Sequence, residues 1–420
     1  MTTFAGLELA QPVLRAIAEE GYSTPTPIQC KSIPPLLDGR DLLGIAQTGT
    51  GKTAAFSLPL LHRLAKNTDT PRSKPHSRQP LALILAPTRE LAGQIGDSLR
   101  TYGRHLHLRT AVVFGGVSIR PQIQTLARGV HMLVATPGRL IDLMNRGNVR
   151  LDAVEVFILD EADRMLDMGF IRDVKKITAA LPKHRQTLLF SATMPKSVQS
   201  LADGLLGNPV RVEAAPAATT VEKVDQRVLF VPKDKKRALI GELLNDEDFE
   251  RVLIFTRTKR GADRVARHLH QSGIQSDAIH GNKAQNARQR ALDGFRSGRI
   301  QALVATDIAA RGIDVDGVTH VINFELPNDP ESYVHRIGRT ARAGAAGIAI
   351  SFCSHDERAY LRDIEKTIRQ SVPVFEGHPY HAAGIANDPG PSKRGLQRNK
   401  RPGQRRRRPQ RSKWTAGKAA

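Results

Sequence analysis

Short aliphatic runs alternate with amphipathic segments along most of the chain, and this alternation restricts the fold more than any other feature. In the first half, strands are predicted at residues 81–85, 110–114, 131–135, 154–159, 186–190 and 210–212. Amphipathic helices are predicted between most of them, at segments that include 54–65, 88–100 and 171–180. Regular alternation of strands and helices implies a parallel sheet covered by helices on both faces. The fold class is therefore α/β.

The second half repeats this pattern. Its predicted strands lie at residues 227–230, 252–256, 276–279, 302–305, 320–324 and 348–352, with helices at 259–272 and 285–297. Between the halves, residues 213–220 are small, contain proline and have no periodicity, which indicates a linker. The helical pattern ends near Ile368, and low-complexity sequence follows. We therefore expect a first domain at 1–213, a linker at 214–222, a second domain at 223–370 and a disordered basic tail at 371–420.

The segment AQTGTGKT at residues 46–53 predicts a phosphate-binding loop. Its glycines let backbone N–H groups approach a triphosphate, and the helix that follows would direct its N-terminus at the anion. Lys52 would reach the outer phosphates, and the Thr53 hydroxyl would help to hold Mg²⁺. The strict pattern has glycine where this chain has Ala46, so the alternative is an ordinary turn before a helix. The expected phosphate-binding residues are Ala46, Gln47, Thr48, Gly49, Thr50, Gly51, Lys52 and Thr53.

Three carboxylates gather where the predicted strand 154–159 ends, in the sequence Asp160-Glu161-Ala162-Asp163. Ligands bind at the carboxyl ends of parallel strands in open α/β sheets. Opposite a phosphate loop, Asp160 would lie near the metal, and Glu161 would orient or deprotonate an attacking water. Taken alone, such an acidic pair is more often the solvated start of a helix. Together with the loop, it indicates hydrolysis of a nucleoside triphosphate.

The octad HRIGRTAR at residues 335–342 is the sharpest feature of the second half. Its arginines at 336, 339 and 342 are spaced by three, which would place them on one side of a helix, converging on one anion. A solvated basic helix face is the alternative. Residues 305–314 follow another predicted strand and would place Asp307, Arg311 and Asp314 in a loop on the same side. Because this half has no phosphate loop, we expect it to complement the first half.

The formal charge of +22 is concentrated near the C-terminus, where residues 390–420 contain four lysines and eight arginines without any aspartate or glutamate. Such a tail is expected to be disordered and to bind a nucleic acid backbone without sequence preference, although a solubilising tail is the alternative. Cys30 and Cys353 are the only cysteines, so no disulfide framework is expected. No apolar run approaches the roughly 18 residues of a spanning helix, and no secretory signal is visible. We expect a cytoplasmic protein without a membrane partner.

Ten separated segments agree in order and spacing with one family. They are GYSTPTPIQ at 21–29, AQTGTGKT at 46–53, PTREL at 87–91, GG at 115–116, TPGR at 136–139, DEAD at 160–163, SAT at 191–193, FTRT at 255–258, ATDIAARGID at 305–314 and HRIGRTAR at 335–342. Over residues 4–368 the chain resembles the DEAD-box RNA helicases of superfamily 2. The stretch HGNKAQNAR at 280–288, with the short N-terminus and basic tail, is most similar to the bacterial RhlE-type subgroup.

This resemblance implies two tandem RecA-like domains and an ATP site divided between them. Gln29 would identify adenine, Tyr22 would stack on the base and Phe4 would pack over it. Asp314 would contact the ribose, with Gly312 beside it. The implied catalytic residues are Lys52, Asp160, Glu161, Arg339 and Arg342, with Thr53 and Asp160 at the Mg²⁺ ion. The residues implied in coupling hydrolysis to motion are Asp163, Ser191, Thr193 and His335.

The resemblance also implies RNA contacts, mostly to phosphates and 2′-hydroxyls, at Arg89, Gly116, Thr136, Arg139, Arg257, Gly281 and Thr306. Backbone contacts carry no base information, so binding would be independent of sequence. We expect an RNA-stimulated ATPase that locally separates short RNA duplexes and remodels RNA–protein complexes, with ribosomal precursors or RNA-decay machinery as partners. A non-catalytic RNA clamp and a DNA helicase are the alternatives. Ala341 replaces the family's usual glycine, and we expect a small residue to be tolerated there in a helix.

Overall fold

The computed structural model of the protein describes residues 3–47, 49–66, 77–213, 224–246, 248–310, 315, 317–341 and 347–387. The predicted linker at 214–222 and the chain after residue 387 lie outside the described residues. So do four predicted site residues, namely Thr48, Gly312, Asp314 and Arg342. No helix in the described part of the chain is both long and apolar enough to cross a membrane.

The first half forms a seven-stranded parallel sheet in the order β3-β4-β2-β5-β6-β1-β7. Its strands are β1 Leu42–Ile45, β2 Ala82–Leu85, β3 Thr110–Val113, β4 Met132–Ala135, β5 Val156–Leu159, β6 Gln186–Ser191 and β7 Val210–Glu213. Every strand predicted in this half is confirmed. Most of these strands are continuous apolar runs because helices cover the sheet on both faces.

Helices surround this sheet and bury both of its faces. They are α1 Gln11–Glu19, α2 Pro27–Leu37, α3 Lys52–Lys66, α4 Arg89–Tyr102, α5 Arg120–Ala127, α6 Pro137–Asn145, α7 Ala162–Asp167, α8 Ile171–Thr178 and α9 Lys196–Leu205. Side chains alternate along β2, so Ile84 belongs to one hydrophobic core while Leu83 and Leu85 belong to the core on the opposite face. Two apolar cores therefore fix the sheet between helical layers.

The second half forms a six-stranded parallel sheet in the order β10-β11-β9-β12-β13-β8. Its strands are β8 Val224–Phe230, β9 Val252–Thr256, β10 Ser276–Ile279, β11 Ala302–Thr306, β12 His320–Asn323 and β13 Gly347–Cys353. Its helices are α10 Lys236–Leu243, α11 Lys259–Gln271, α12 Gln285–Arg296, α13 Asp307–Ala310, α14 Pro330–Ile337, α15 Arg358–Ile368 and α16 Ala383–Asn387. The predicted pair of α/β domains is confirmed.

Residues 371–387, here called the edge segment, pack against the second domain instead of belonging to a disordered tail. Strand β8 lies at one edge of the sheet, and its Val228 N–H donates to the Pro373 carbonyl at 2.8 Å. The Phe375 N–H donates in turn to the Val228 carbonyl at 2.9 Å. Val372 and Ile385 are buried in the domain core. The prediction of disorder from residue 371 is wrong for this segment because two apolar anchors and one exposed sheet edge suffice to order it.

The arginine octad does not form one helix. Helix α14 ends at Ile337, so Arg336 is helical and Arg339 lies beyond the helix end. Ala341 has a φ of 54°, in the left-handed region that disfavours residues with a Cβ atom. The expectation that Ala341 lies in a helix is therefore wrong, since this residue has a left-handed backbone and lies beyond the end of α14.

Candidate active site

A cavity of about 670 Å³ lies between the two domains. The first domain lines it with the phosphate loop, through Lys52 and Thr53, and with Asp160 and Glu161. The second domain contributes Arg339 to the same cavity. This volume falls within the range of small-molecule and cofactor sites. The cavity thus joins the predicted phosphate loop, acids and arginine in one place.

The phosphate loop connects the end of β1 to the start of α3. Gly49 and Gly51 have φ values of 84° and 92°, which only glycine adopts without strain. The buried Lys52 donates from Nζ to the Ala46 carbonyl at 2.7 Å, and the Thr50 hydroxyl donates to the Gln47 carbonyl at 2.8 Å. The loop is therefore held in a curled form at the N-terminus of α3, where backbone N–H groups favour an anion.

Gln29, which lies in helix α2, stabilises the phosphate loop through hydrogen bonds. Its Oε1 accepts the Thr26 N–H at 2.8 Å, and its Nε2 donates to the Gly51 carbonyl at 3.2 Å. The Thr26 hydroxyl donates to the Thr50 carbonyl at 2.9 Å. A Cβ atom on Gly51 would lie only 2.5 Å from Gln29 Nε2, so this close approach requires glycine. Our prediction assigned Gln29 to adenine and missed its contact with the loop.

Phe4, Tyr22 and Tyr102 give the cavity an aromatic part. Phe4 is buried in its wall, while Tyr22 keeps 43% of its surface exposed. The Tyr22 hydroxyl lies 3.4 Å from that of Tyr102, and burial raises the pKa of Tyr102 above its ordinary value. These rings provide an apolar surface suited to a flat base. Tyr102, at the end of α4, was not predicted as part of the site.

Asp160 and Glu161 are both buried at the carboxyl end of β5. Burial raises the pKa of Asp160 to about 6, the charge of Lys52 opposes this rise, and neighbouring Glu161 adds to it. A cation beside Asp160 would relieve this desolvation, so the carboxylate is chemically suited to a divalent metal ion. Glu161 forms an ion pair with Arg164, and its φ of 54° places it in the left-handed region. Such backbone strain is typical of functional sites.

Asp163 links the acid tetrad to the loop after β6. Its Oδ2 accepts the Thr193 N–H at 2.9 Å and the Thr193 hydroxyl at 3.0 Å. The Asp163 N–H donates to the Ser191 hydroxyl at 3.2 Å. Three of the four residues implied in coupling, Asp163, Ser191 and Thr193, therefore form one hydrogen-bonded group next to the cavity.

Two predicted residues of the second domain lie next to the hydrogen-bonded group around Asp163. His335 and Arg339 line a small cleft together with Glu161, Asp163 and Thr193 of the first domain. Arg339 is buried. The structure therefore brings residues of both domains to the same acids, whereas Arg342 is outside the described residues.

Arg336 has a structural role that the spacing of the octad did not predict. Its Nε and Nη2 donate to the Asp307 carboxylate at 2.6 and 2.8 Å, and its Nη1 donates to Asn323 Oδ1 at 3.0 Å and to the Glu325 carbonyl at 2.7 Å. Only 1% of the side chain is exposed. The prediction that three arginines converge on one anion is wrong for Arg336, because an internal carboxylate neutralises it.

Four of the predicted RNA contacts lie on the first domain. Gly116 has a φ of 79°, and a Cβ atom there would lie 2.1 Å from Arg89 Nη1. Arg139 Nη2 donates to the Val117 carbonyl at 3.1 Å, and among the described residues its buried Nη1 has no hydrogen-bond partner. Burial and the charges of Arg288 and Arg139 lower the pKa of Arg89. Thr136 is the buried residue before α6. This crowded group of guanidinium groups would be stabilised by an anion.

The other three predicted RNA contacts follow neighbouring strands of the second sheet. Thr306 ends β11, Arg257 follows β9, and Gly281 lies two residues after β10. These strands are adjacent in the sheet and parallel, so the three residues share its carboxyl edge.

A buried contact between the domains was missed by sequence reasoning. Arg288 of α12 pairs with Glu90 of α4 at 2.7 Å, with side chains 9% and 4% exposed. Gln285, one turn earlier, accepts from Arg89 Nη1 at 3.1 Å. Residues 89 and 90 belong to the PTREL segment, but no pattern in the sequence connects them to positions almost 200 residues later.

Comparison with known proteins gives consistent matches for both domains. Residues 26–201 match the DEAD/DEAH box helicase family, and residues 234–344 match the helicase conserved C-terminal domain. The DEAD-box ATP-dependent RNA helicase CshA of Bacillus cereus is 44% identical over 372 residues, which cover 89% of this chain and 69% of that protein. The ATP-dependent RNA helicase CshA of Listeria monocytogenes is 42% identical over 383 residues, covering 91% and 72%.

Solved structures agree with these matches. S. cerevisiae Dbp5 bound to RNA and ADP BeF3 is similar with a TM-score of 0.77 at 32% identity, covering 89% of this chain and 96% of that one. Mss116p, with its NTE and C-tail deleted and bound to ssRNA and AMP-PNP, is similar with a TM-score of 0.80 at 27% identity, covering 91% and 81%. With two RecA-like domains and an acid tetrad opposite a phosphate loop, the chain belongs to the family of DEAD-box ATP-dependent RNA helicases.

Proposed function

We propose that the protein hydrolyses ATP when RNA holds its two domains together, and that this cycle separates short RNA duplexes and remodels RNA–protein complexes. The observation that carries the proposal is that Arg339 of the second domain lines the same cavity as Lys52 and Glu161 of the first. A site divided in this way is complete only when the domains meet. Ordering two domains costs entropy, and RNA that contacts both domains offsets this cost.

In this proposal the triphosphate lies on the loop at 46–53, and the adenine lies between Tyr22, Phe4 and Gln29. Thr53 and Asp160 would hold Mg²⁺, because the buried carboxylate of Asp160 lacks a full counter-charge. Mg²⁺ supplies neutralisation of phosphate charge when it is bound. Lys52 binds the outer phosphates and keeps them in line for attack.

Hydrolysis requires a base for water and a cation for the transferred phosphoryl group. We assign the base to Glu161, which orients water and accepts its proton as the water oxygen bonds to the terminal phosphorus. The bond to the bridging oxygen then breaks, giving ADP and inorganic phosphate. Arg339 stabilises the charge on the transferred group, and Arg342, Gly312 and Asp314 are proposed to complete the second domain's share. Asp163, Ser191, Thr193 and His335 are proposed to transmit the change to the RNA-binding face.

We propose that RNA binds along the carboxyl edges of both sheets. The proposed contacts are Arg89, Gly116, Thr136, Arg139, Arg257, Gly281 and Thr306. Burial of Arg89 beside the charges of Arg288 and Arg139, which Glu90 offsets only in part, supports an anionic ligand at this face. Because phosphate contacts carry no base information, the protein would bind RNA without sequence preference.

Several finer assignments rest on the sequence. The stretch at 280–288 supports placement in the RhlE-type subgroup. The lack of a disulfide framework supports a cytoplasmic location. Ribosomal precursors and RNA-decay complexes are the proposed partners. The domain limits proposed from sequence are 1–213 and 223–370, and the packing of the edge segment supports extending the second domain to residue 387.

Single-turnover ATPase assays with and without RNA test the proposal, with DNA of matched length as a competing stimulator. We expect RNA to stimulate hydrolysis more than DNA does. Glu161→Gln should reduce hydrolysis by at least about a hundredfold and preserve ATP and RNA binding. The exposed acid Asp234 provides a control, since Asp234→Asn should retain full activity. Hydrolysis that is indifferent to RNA, or that survives Glu161→Gln, would overturn the proposal.

The basic segment 390–420 is proposed to strengthen RNA binding through counterion release. Deleting it should weaken RNA affinity and flatten its dependence on salt, with the maximal ATPase rate unchanged. A variant of equal length with its twelve basic residues replaced by serine separates charge from chain length. An unchanged salt slope in both variants would count against this role.

A further inference from the structure

Two glutamates lie near the Arg257 guanidinium, but most of its N–H groups form no hydrogen bond with the described residues. Its Nη2 lies 3.4 Å from Glu357 Oε1 and 3.8 Å from Glu325 Oε1. A guanidinium has five N–H donors. Among the described residues, the Arg257 guanidinium donates one hydrogen bond, from Nη1 to Asn328 Oδ1 at 3.3 Å. The charge of Arg257 is therefore held in place while its donors stay available.

Arg336 provides the internal contrast. Its Nε, Nη1 and Nη2 all donate to protein oxygens, and 1% of its side chain is exposed. Arg257 keeps 23% of its side chain exposed, at the carboxyl edge of the sheet. The Arg336 guanidinium therefore bonds to protein groups inside the domain, whereas the Arg257 guanidinium lies partly exposed at the domain surface.

Glu357 is fixed by a second group of contacts. It is 1% exposed and forms an ion pair with Lys236, which is 3% exposed. Its Oε1 accepts the Leu326 N–H at 3.2 Å, and its Oε2 accepts the Ser354 hydroxyl at 2.7 Å. Lys236 also donates to the Phe324 and Phe352 carbonyls at 2.9 and 3.0 Å. Such complete bonding is what a buried ion pair requires, and it leaves Glu357 little freedom to move.

Two further contacts, with Glu325 and Tyr360, position Arg257. The Arg257 N–H donates to Glu325 Oε2 at 2.7 Å, which fixes the backbone after β9. The guanidinium carbon lies 5.7 Å from the centre of the Tyr360 ring. These contacts restrict the rotamers of the Arg257 side chain when the protein folds. RNA binding at Arg257 therefore costs less conformational entropy than binding at a mobile arginine would.

We propose that Lys236 and Glu357 are positioning residues for RNA binding, which hold the Arg257 guanidinium at the sheet edge with its free donors directed at an RNA phosphate. This inference rests on the RNA-binding role proposed for Arg257. Lys236 fixes Glu357, and Glu357 fixes Arg257. Neither Lys236 nor Glu357 touches RNA, since both are buried.

The double variant Lys236→Met with Glu357→Gln tests the inference, because it removes one charge of each sign and leaves the net charge unchanged. A loss of RNA affinity then cannot arise from altered long-range attraction. We expect the RNA concentration for half-maximal ATPase to rise roughly three- to tenfold. The KM for ATP and kcat at saturating RNA should stay within about twofold of wild type, which a general folding defect would not allow.

Asp356→Asn is the matched control. Asp356 is adjacent to Glu357 but pairs with Lys233 at the surface, where the Lys233 side chain is 71% exposed. We expect its KM for RNA to equal that of wild type. Asn328→Ala provides a second probe that does not disturb the core, because Asn328 is exposed. It removes the one hydrogen bond that the Arg257 side chain donates within the described part of the chain. Like the double variant, Asn328→Ala should raise the KM for RNA.

Arg257→Ala completes the cycle. It should raise the KM for RNA by itself, and adding the double variant should then produce no further rise. The inference is overturned if the double variant leaves the KM for RNA unchanged while Arg257→Ala raises it, whatever the effect of Asn328→Ala. It is also overturned if Arg257→Ala has no effect although RNA still stimulates ATPase. Loss of RNA stimulation in the wild-type protein would instead refute the proposed function itself.

Discussion

Arg288 of the second domain forms an ion pair with Glu90 of the first, with 2.7 Å between Nη2 and Oε1. Removing one partner of a buried ion pair costs roughly 3–5 kcal/mol. Because this pair joins the two domains, its loss destabilises the arrangement in which they are in contact. Arg288→Ala should therefore lower RNA-stimulated ATPase by at least about tenfold. Arg290, exposed on the same helix, serves as the control, and Arg290→Ala should keep wild-type activity. Equal rates for the two variants would contradict the prediction.

Gly116→Ala should weaken RNA binding, because the new Cβ atom would lie 2.1 Å from Arg89 Nη1 at a φ of 79°. The arginine must move, and loss of one phosphate contact should reduce affinity about three- to tenfold in a titration with fluorescent RNA. Gly115→Ala is the matched comparison, since its Cβ atom would approach Arg89 no closer than 3.9 Å. An effect of the same size in Gly115→Ala would show that Arg89 displacement is not the cause.

Asp160 should make the stability of the nucleotide-free protein depend on pH. Burial raises its pKa from 3.8 to about 6, so the folded protein binds the proton more tightly than the unfolded chain. The resulting penalty is absent below the ordinary pKa, grows as pH rises, and is complete above about 6. Asp160→Asn should therefore raise the free energy of unfolding by up to roughly 3 kcal/mol near neutral pH and by less at about pH 5.

Urea denaturation of the first domain at both pH values measures this difference. Asp203→Asn is the control, because Asp203 is an exposed acid on α9. A gain in Asp160→Asn that is the same at both pH values would contradict the assignment of the penalty to this carboxylate.

Ala341→Gly should stabilise the second domain by about 1 kcal/mol, because glycine adopts a φ of 54° without the Cβ clash. The midpoint of thermal unfolding measures the gain. Ala18→Gly tests the opposite case at an exposed position of α1, where glycine should destabilise by about 1 kcal/mol. A loss of stability in Ala341→Gly would show that the methyl group makes contacts worth more than the strain.

The central strands could be predicted because they are buried on both faces. The bounds of β9, all of whose residues are buried, agree with the predicted residues 252–256. A strand covered by helices on both sides is a continuous apolar run, which the flanking polar residues delimit. The meeting of Lys52, Glu161 and Arg339 in one cavity likewise agrees with the site expected from the motifs.

What the sequence could not supply was the partner of each charged group. The spacing of the octad predicted that Arg336 would share an anion with its neighbours, but Asp307 reaches it from another strand end. The pairing of Arg288 with Glu90, and the contact of Gln29 with Gly51, likewise depend on tertiary geometry. Periodicity describes one side of a helix and carries no information about what faces it.

The edge segment determines where this protein can be shortened. A fragment ended at residue 370 would expose the amide and carbonyl groups of β8 that now bond with Pro373 and Phe375. An uncovered strand of this kind recruits strands from other molecules. We therefore expect a fragment ended at residue 370 to aggregate more readily than one that continues to Asn387.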